Sequence, residues 1–217
     1  MREQRAVLLL LPVLSALLAL AGQGLGWKLG VPFACAMALV VLLRPQQERR
    51  RALWWVVAAF AFSMLGDYFL STRRGREHYF LLGIAAFWVA HLGYLVYALT
   101  RGRVHGHALI LLLAGYLTYH FRVVAPAIES PVLSAAVLAY LLVSCVSMAA
   151  AIGMRVQPLE RGLYVAGVAL ILFSDTVISF REFLDFHRLN AMILPTYYLA
   201  QILILHALLW RRDLRYT

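Results

Sequence analysis

Eight apolar runs, each close to the length of a bilayer-crossing helix, follow one another along this 217-residue chain with only short connections between them. A spanning helix needs about 20 mostly apolar residues. That ruler marks residues 6–21, 27–43, 53–71, 79–99, 105–121, 132–153, 160–180 and 190–210, of which the first is short and the fifth has polar ends. The runs are uniformly apolar rather than alternating, so helices are expected and a closed barrel is not. With 63% apolar and 14% charged residues, the chain exceeds the ~45–50% apolar share of soluble domains. The reading is an all-α, polytopic membrane protein of eight transmembrane helices, a single integral membrane domain over 1–217. No connection is long enough for a soluble domain, so any chemistry belongs to side chains within or at the edge of the bilayer.

The formal net charge of +10 could suggest nucleic acid or an acidic partner, but the basic residues sit at helix ends, where they set orientation. No nucleic-acid partner is expected. Counting Lys and Arg in alternate connections gives 13 on the side of the two termini and 7 on the other. Both termini are therefore expected in the cytoplasm, with the Arg73, Arg74, Arg76 cluster pulling the other way. Arg outnumbers Lys by 19 to 1, which hints at a G+C-rich genome and a bacterial inner membrane. Cys35 and Cys145 lie inside apolar runs without metal-ligand spacing and read as small core residues. Arg residues, an apolar run and Ala19-Leu20-Ala21 imitate a cleaved signal peptide. A retained first helix is expected instead, because it completes a repeat.

The third run ends Gly66-Asp67-Tyr68-Phe69-Leu70-Ser71 and the seventh Ser174-Asp175-Thr176-Val177-Ile178-Ser179. Each has a small residue, Asp, three others, then Ser. In the following runs Phe87, Trp88 and His91 fall opposite Tyr197, Tyr198 and Gln201, and Pro32 and Pro131 precede the two motifs. This suggests a 4+4 tandem repeat over 6–99 and 105–210, related by an axis along the membrane normal. Such symmetry would bring both Asp residues to one depth, facing a shared cavity.

Asp67 and Asp175 are the charged residues that sit clearly within spanning segments. An Asp at mid-helix costs ~2.5–3.5 kcal/mol on insertion scales and is normally turned inward, paired and functional; the bland alternative is an interhelical hydrogen bond or snorkelling. Helical spacing puts Ser63 and Ser71 on the face of Asp67, and Ser179 on that of Asp175. Two such carboxyls close together share one proton, supplying an acid and a base at once. His91 lies mid-helix with Phe87 and Tyr94 on its face, and reads either as an interhelical hydrogen-bonder or as a site residue. Tyr197, Tyr198 and Gln201 put phenols and an amide on the last helix, where a Gln in lipid needs a partner. Lys28 opens the second run and either snorkels or offers a cation to a lipid phosphate or an Asp. His78, His105, His107, His120, His187 and His206 lie near helix ends and read as interfacial. No metal or organic cofactor is expected. From these residues alone, an intramembrane hydrolase and a proton-coupled lipid or small-molecule carrier are equally natural.

Five motifs in order carry more. Trp27-Lys28-Leu29-Gly30-Val31-Pro32, Ser63-Met64-Leu65-Gly66-Asp67, Gly83-Ile84-Ala85-Ala86-Phe87 with His91-Leu92-Gly93-Tyr94, Ser174-Asp175, and Tyr197-Tyr198-Leu199-Ala200-Gln201 span 27 to about 205. Together they resemble the YhhN-like family, the lysoplasmalogenase group that includes the mammalian transmembrane protein 86 pair. The resemblance implies an eight-helix hydrolase that cleaves the vinyl ether of lysoplasmalogens, releasing a fatty aldehyde and glycerophosphocholine or glycerophosphoethanolamine. It implies that Asp67 and Asp175 are the catalytic pair. It also places Lys28, His91, Tyr94, Tyr197, Tyr198 and Gln201 at other family motif positions, where a lysophospholipid substrate would be bound. Membrane lipids are the remaining expected partners.

Overall fold

A computed structural model gives the architecture and describes residues 2–22, 24–43 and 51–213. Arg44, Arg49, Arg50 and Arg215, which enter the orientation count, lie outside them. The described residues form eight helices: α1 Arg2–Leu20, α2 Leu25–Leu43, α3 Arg51–Thr72, α4 Glu77–Leu99, α5 Gly106–Tyr119, α6 Pro131–Ile152, α7 Pro158–Leu184 and α8 Asn190–Asp213. Among the described residues there is no strand beyond one isolated bridge, Gly102 to Met154, which pins the α4–α5 connection to the α6–α7 connection.

Six helices are long and apolar enough to cross a membrane, the fifth counted through Ala127, while α1 and α2 carry shorter apolar stretches, Leu8–Leu20 and Leu25–Val41. Leu111, Ile110, Val132 and Leu10 lie on the outside, each more than 60% exposed. In water such a surface would drive association; in a bilayer it is the solvated face. The fold is that of a polytopic membrane protein.

The interior is built on small residues. Ala38, Ala59, Ala90, Ala98, Ala150 and Ala200 are buried where helices meet, allowing close backbone approach in the absence of a hydrophobic force between helices. At Gly93 a Cβ would stand 2.5 Å from the Trp55 carbonyl oxygen, so only glycine lets α4 lie this close to α3. Polar ties fix the register. The Tyr164 hydroxyl donates to the Tyr94 carbonyl (2.8 Å), Ser174 Oγ to the Ile193 carbonyl (3.1 Å), and the Trp88 indole N–H to the Ala139 carbonyl (3.2 Å).

Two helices depart from their expected form. α5 does not stop near residue 121: it widens into a π turn, His120–Val124, and closes with a 3-10 turn, Ala125–Ala127, before Ile128 adopts extended backbone. α7 runs to Leu184, well past the expected end at 180, and finishes on Asp185 in a left-handed conformation (φ 51°). α3 and α7 both end at the same face of the bundle as the start of α4 and α8, which places the Asp-bearing ends of α3 and α7 together.

Candidate functional site

Asp67 sits one and a half turns before the end of α3. Its Oδ2 accepts a hydrogen bond from the Tyr197 hydroxyl of α8 at 3.1 Å. Ser63, one turn earlier and 2% exposed, lies near the phenols of Tyr94 and Tyr197. Ser71, expected on the same face, is instead exposed, because Asp67 and Ser71 straddle the point where α3 leaves the bundle interior. Lys28 of α2 lies within electrostatic reach of Asp67. Gly66 is what allows this packing: a Cβ there would come within 2.5 Å of the Phe87 ring.

Asp175 sits nine residues before the end of α7. The Tyr140 hydroxyl of α6 donates to its Oδ2 at 2.6 Å, and His91 Nε2 of α4 lies 3.4 Å from the same oxygen. Among the described residues Oδ1 takes no hydrogen bond. His91 is 1% exposed, with its ring edge-on to Tyr140 (5.2 Å) and to Tyr94 (6.3 Å). The residues beside Asp175 are held as well. Tyr116 bonds Thr176 at 2.9 Å and Tyr119 bonds Ser179 at 2.7 Å, which is how α5 attaches to α7.

A small, partly open hollow of about 70 Å³ runs between α4 and α7, with α3 and α6 completing its walls. Phe80 and Phe183, ring centroids 6.0 Å apart, line it toward the α7 C-terminal end, and Asp175 and Tyr140 line it further along α7 and α6. Leu70, Ile84, Phe87, Val137 and Ile178 make the rest of the wall apolar apart from Ser179. A carboxyl group in the wall of an otherwise apolar slot is a strong local feature, since each alkyl group around it withholds solvent.

Asp67 does not border this hollow. Phe87 stands at the boundary: one part of its ring lines the slot, while the ring also packs on Gly66 and meets Tyr197 edge-on at 5.9 Å. Asp175 lies within electrostatic reach of Asp67. The two carboxyl groups stand in two adjoining compartments, where the repeat suggested a single shared cavity.

The structure brings Asp67, Tyr197, Tyr94 and Lys28 together on one side, and Asp175 with His91 on the other. Tyr198 and Gln201 are buried beside them (1% and 0% exposed), yet the Tyr198 hydroxyl and both amide atoms of Gln201 meet no protein partner among the described residues. They adjoin the site without joining its hydrogen bonds. Tyr140, Tyr116 and Tyr119 were not singled out from the sequence. A phenol nine residues inside a span is the available signal, because aromatic residues that serve as anchors sit at the interfaces. His120 is buried rather than interfacial: the π turn rotates it inward, to 1% exposure. His105 caps α5, its Nδ1 accepting from the Ala108 N–H at 3.2 Å. Cys35 and Cys145 are buried free thiols. Among the described residues no three of His, Cys, Asp and Glu converge on a point.

No curated protein and no solved structure matches the chain. The sequence pattern that defines the YhhN family does match it, over residues 27–208, a stretch that takes in α2 to α8 and every residue of both compartments. With Asp67, His91, Asp175 and Tyr197 all inside that match, the chain belongs to the YhhN family.

Proposed function

We propose that the protein is an intramembrane hydrolase of the lysoplasmalogenase type, cleaving the vinyl ether of lysoplasmalogens. Family membership supports a lysoplasmalogenase-like membrane hydrolase. The observation that carries the specific reaction is the setting of Asp175: the Tyr140 hydroxyl and His91 Nε2 both meet its Oδ2, and the residue lies in the wall of the apolar hollow.

Vinyl ether hydrolysis begins with transfer of a proton to the alkene carbon. In this reading the Asp175 carboxyl group gives that proton, and the C=C pair forms the new C–H bond. An oxocarbenium ion remains on the ether side. Tyr140 and His91 stabilise the carboxylate as charge develops on it, an interaction stronger in the transition state than in the ground state. Water then adds to the oxocarbenium carbon and loses a proton to Asp67. The hemiacetal collapses as Asp67 returns that proton to the departing glyceryl oxygen, while the hemiacetal hydroxyl proton goes back to Asp175. The products are a fatty aldehyde and the glycerophospho alcohol, and both carboxyls are restored. Two carboxyl groups alternating as acid and base is the logic of glycoside hydrolysis.

Mass spectrometry of lysoplasmalogen incubated with purified protein tests this. Aldehyde release is expected from the wild type and not from Asp175→Asn or Asp67→Asn. Undiminished release from both variants would end the proposal. Proton-linked lipid flux in liposomes without aldehyde would establish the carrier reading instead. A panel of lysolipids with and without the vinyl ether separates this substrate from other lysolipids.

A further inference from the structure

At the mouth of the hollow lies an ionic cluster that the chemistry above does not use. Glu182 of α7 has a side chain only 9% exposed and is shared by two guanidinium groups. Arg73, just past the end of α3, approaches Glu182 Oε2 at 2.6 Å. Arg181 donates to Oε1 through Nη2 (2.6 Å) and Nε (2.8 Å). The Arg73 guanidinium also lies 5.1 Å over the ring of Phe80, which lines the slot. Glu182 itself follows Ser179 by three residues and adjoins Phe183, both slot residues. Two cations against one anion leave a net positive charge, and most of the guanidinium N–H donors have no partner among the described residues. Beyond Arg73 the chain turns into α4 through Arg74 and Gly75, with φ of 44° and 79°.

We propose that Arg73 and Arg181, held by Glu182, grip the phosphate of a single-chain phospholipid whose ether linkage reaches Asp175 through the slot. This rests on the hydrolase reading for its choice of lipid. Arg is suited to the task, because its planar fork matches phosphate oxygens in pairs. The spacing agrees. Arg181 follows Asp175 by six residues, about 9 Å along the helix axis. In a lysoplasmalogen, seven bonds separate the alkene carbon that takes the proton from phosphorus, about 9 Å in an extended zigzag. Phosphate at the rim thus sets the vinyl ether level with Asp175, with the glycerol passing Phe80 and Phe183. The hydrocarbon continues along the wall of Ile84 and Val137. Arg73 and Arg181 are then positioning residues that set both headgroup class and depth.

Equilibrium binding to full-length protein in a nonionic detergent tests the assignment, using a saturated 1-O-alkyl lysophospholipid that cannot be hydrolysed at a vinyl ether. Wild type should bind it at least tenfold more tightly than the matched 1-O-alkylglycerol, which lacks phosphate. R73Q and R181Q should each weaken the phospholipid about ten- to hundredfold, the range for hydrogen bonds to a charged group, and leave the alkylglycerol unchanged. R74Q removes the same charge from the neighbouring turn and should change neither. Where R73Q or R181Q lowers the melting temperature, R73K and R181K keep the ion pair without the fork and should still weaken only the phospholipid. Equal effects on both ligands, or an R74Q effect as large as R73Q, would overturn the clamp. So would competition by glycerol 3-phosphate or by a two-chain lipid of the same headgroup at the affinity of the lysolipid, which would indicate a free-phosphate or general bilayer contact. Because the ligand is unreactive, this outcome stands apart from whether aldehyde is ever formed.

Discussion

Both hydrogen-bonding neighbours of Asp175 converge on one oxygen, and that gives the Tyr140 hydroxyl a measurable share of the reaction. Tyr140→Phe keeps the ring packed against His91 and removes only the donor. It should lower kcat for aldehyde release by about tenfold to a hundredfold with KM nearly unchanged, the signature of an interaction gained in the transition state. A matching rise in KM would mean that Tyr140 binds substrate instead. On the other compartment, Gly66→Ala forces a methyl group into the Phe87 ring. The cost should be about 1–3 kcal/mol, read as a lower melting temperature, and Phe87→Leu in the same chain should recover part of it. Asp67, Asp175 and His91 were legible from sequence because polar groups are expensive in hydrocarbon, so each had to be turned inward, and Tyr197 through its place in the Tyr197-Tyr198-Leu199-Ala200-Gln201 motif. Tyr140 was not, because a tyrosine in an apolar run is as compatible with lipid as with a carboxylate. Nor does the cost of burial tell where two inward groups are divided, which depends on the single ring of Phe87.

Helices show the same division between what periodicity carries and what it does not. The existence of all eight follows from apolar length, and the described elements agree with the expected runs to within a few residues at most ends. Where they differ, a local cause is visible: α5 widens at His120 and ends at Pro126, while α7 continues because its last turns face Phe80 and Arg73 rather than lipid. α5 contains no buried residue before the π turn, and its attachment to α7 is through two hydroxyl pairs. Replacing Tyr116 and Tyr119 together by Phe should therefore raise amide hydrogen exchange in 106–124 and leave α3, α4, α7 and α8 unchanged. Exchange rising across the whole bundle would show that these two bonds stabilise more than one helix.

Across the whole molecule, each carboxylate is completed by a side chain from the other half of the chain: Tyr197 reaches back to Asp67, and His91 reaches forward to Asp175. Eight crossings would return both ends to one side of the membrane. Tags at the two termini should then be cleaved by protease from the same face of sealed vesicles, the cytoplasmic one by the basic-residue count. Cleavage of the two tags from opposite faces would reduce the crossings to an odd number.

The bond between Tyr197 and Asp67 spans 130 positions of chain, and this separation bears on how the protein is made. Synthesis proceeds at about 5–20 residues per second, so α3 is finished on the order of ten seconds before the phenol that completes it emerges. During that interval a carboxyl group must wait beside the translocation machinery or at a water-exposed lip of the nascent bundle, and full insertion of the third helix would lag until the eighth arrives.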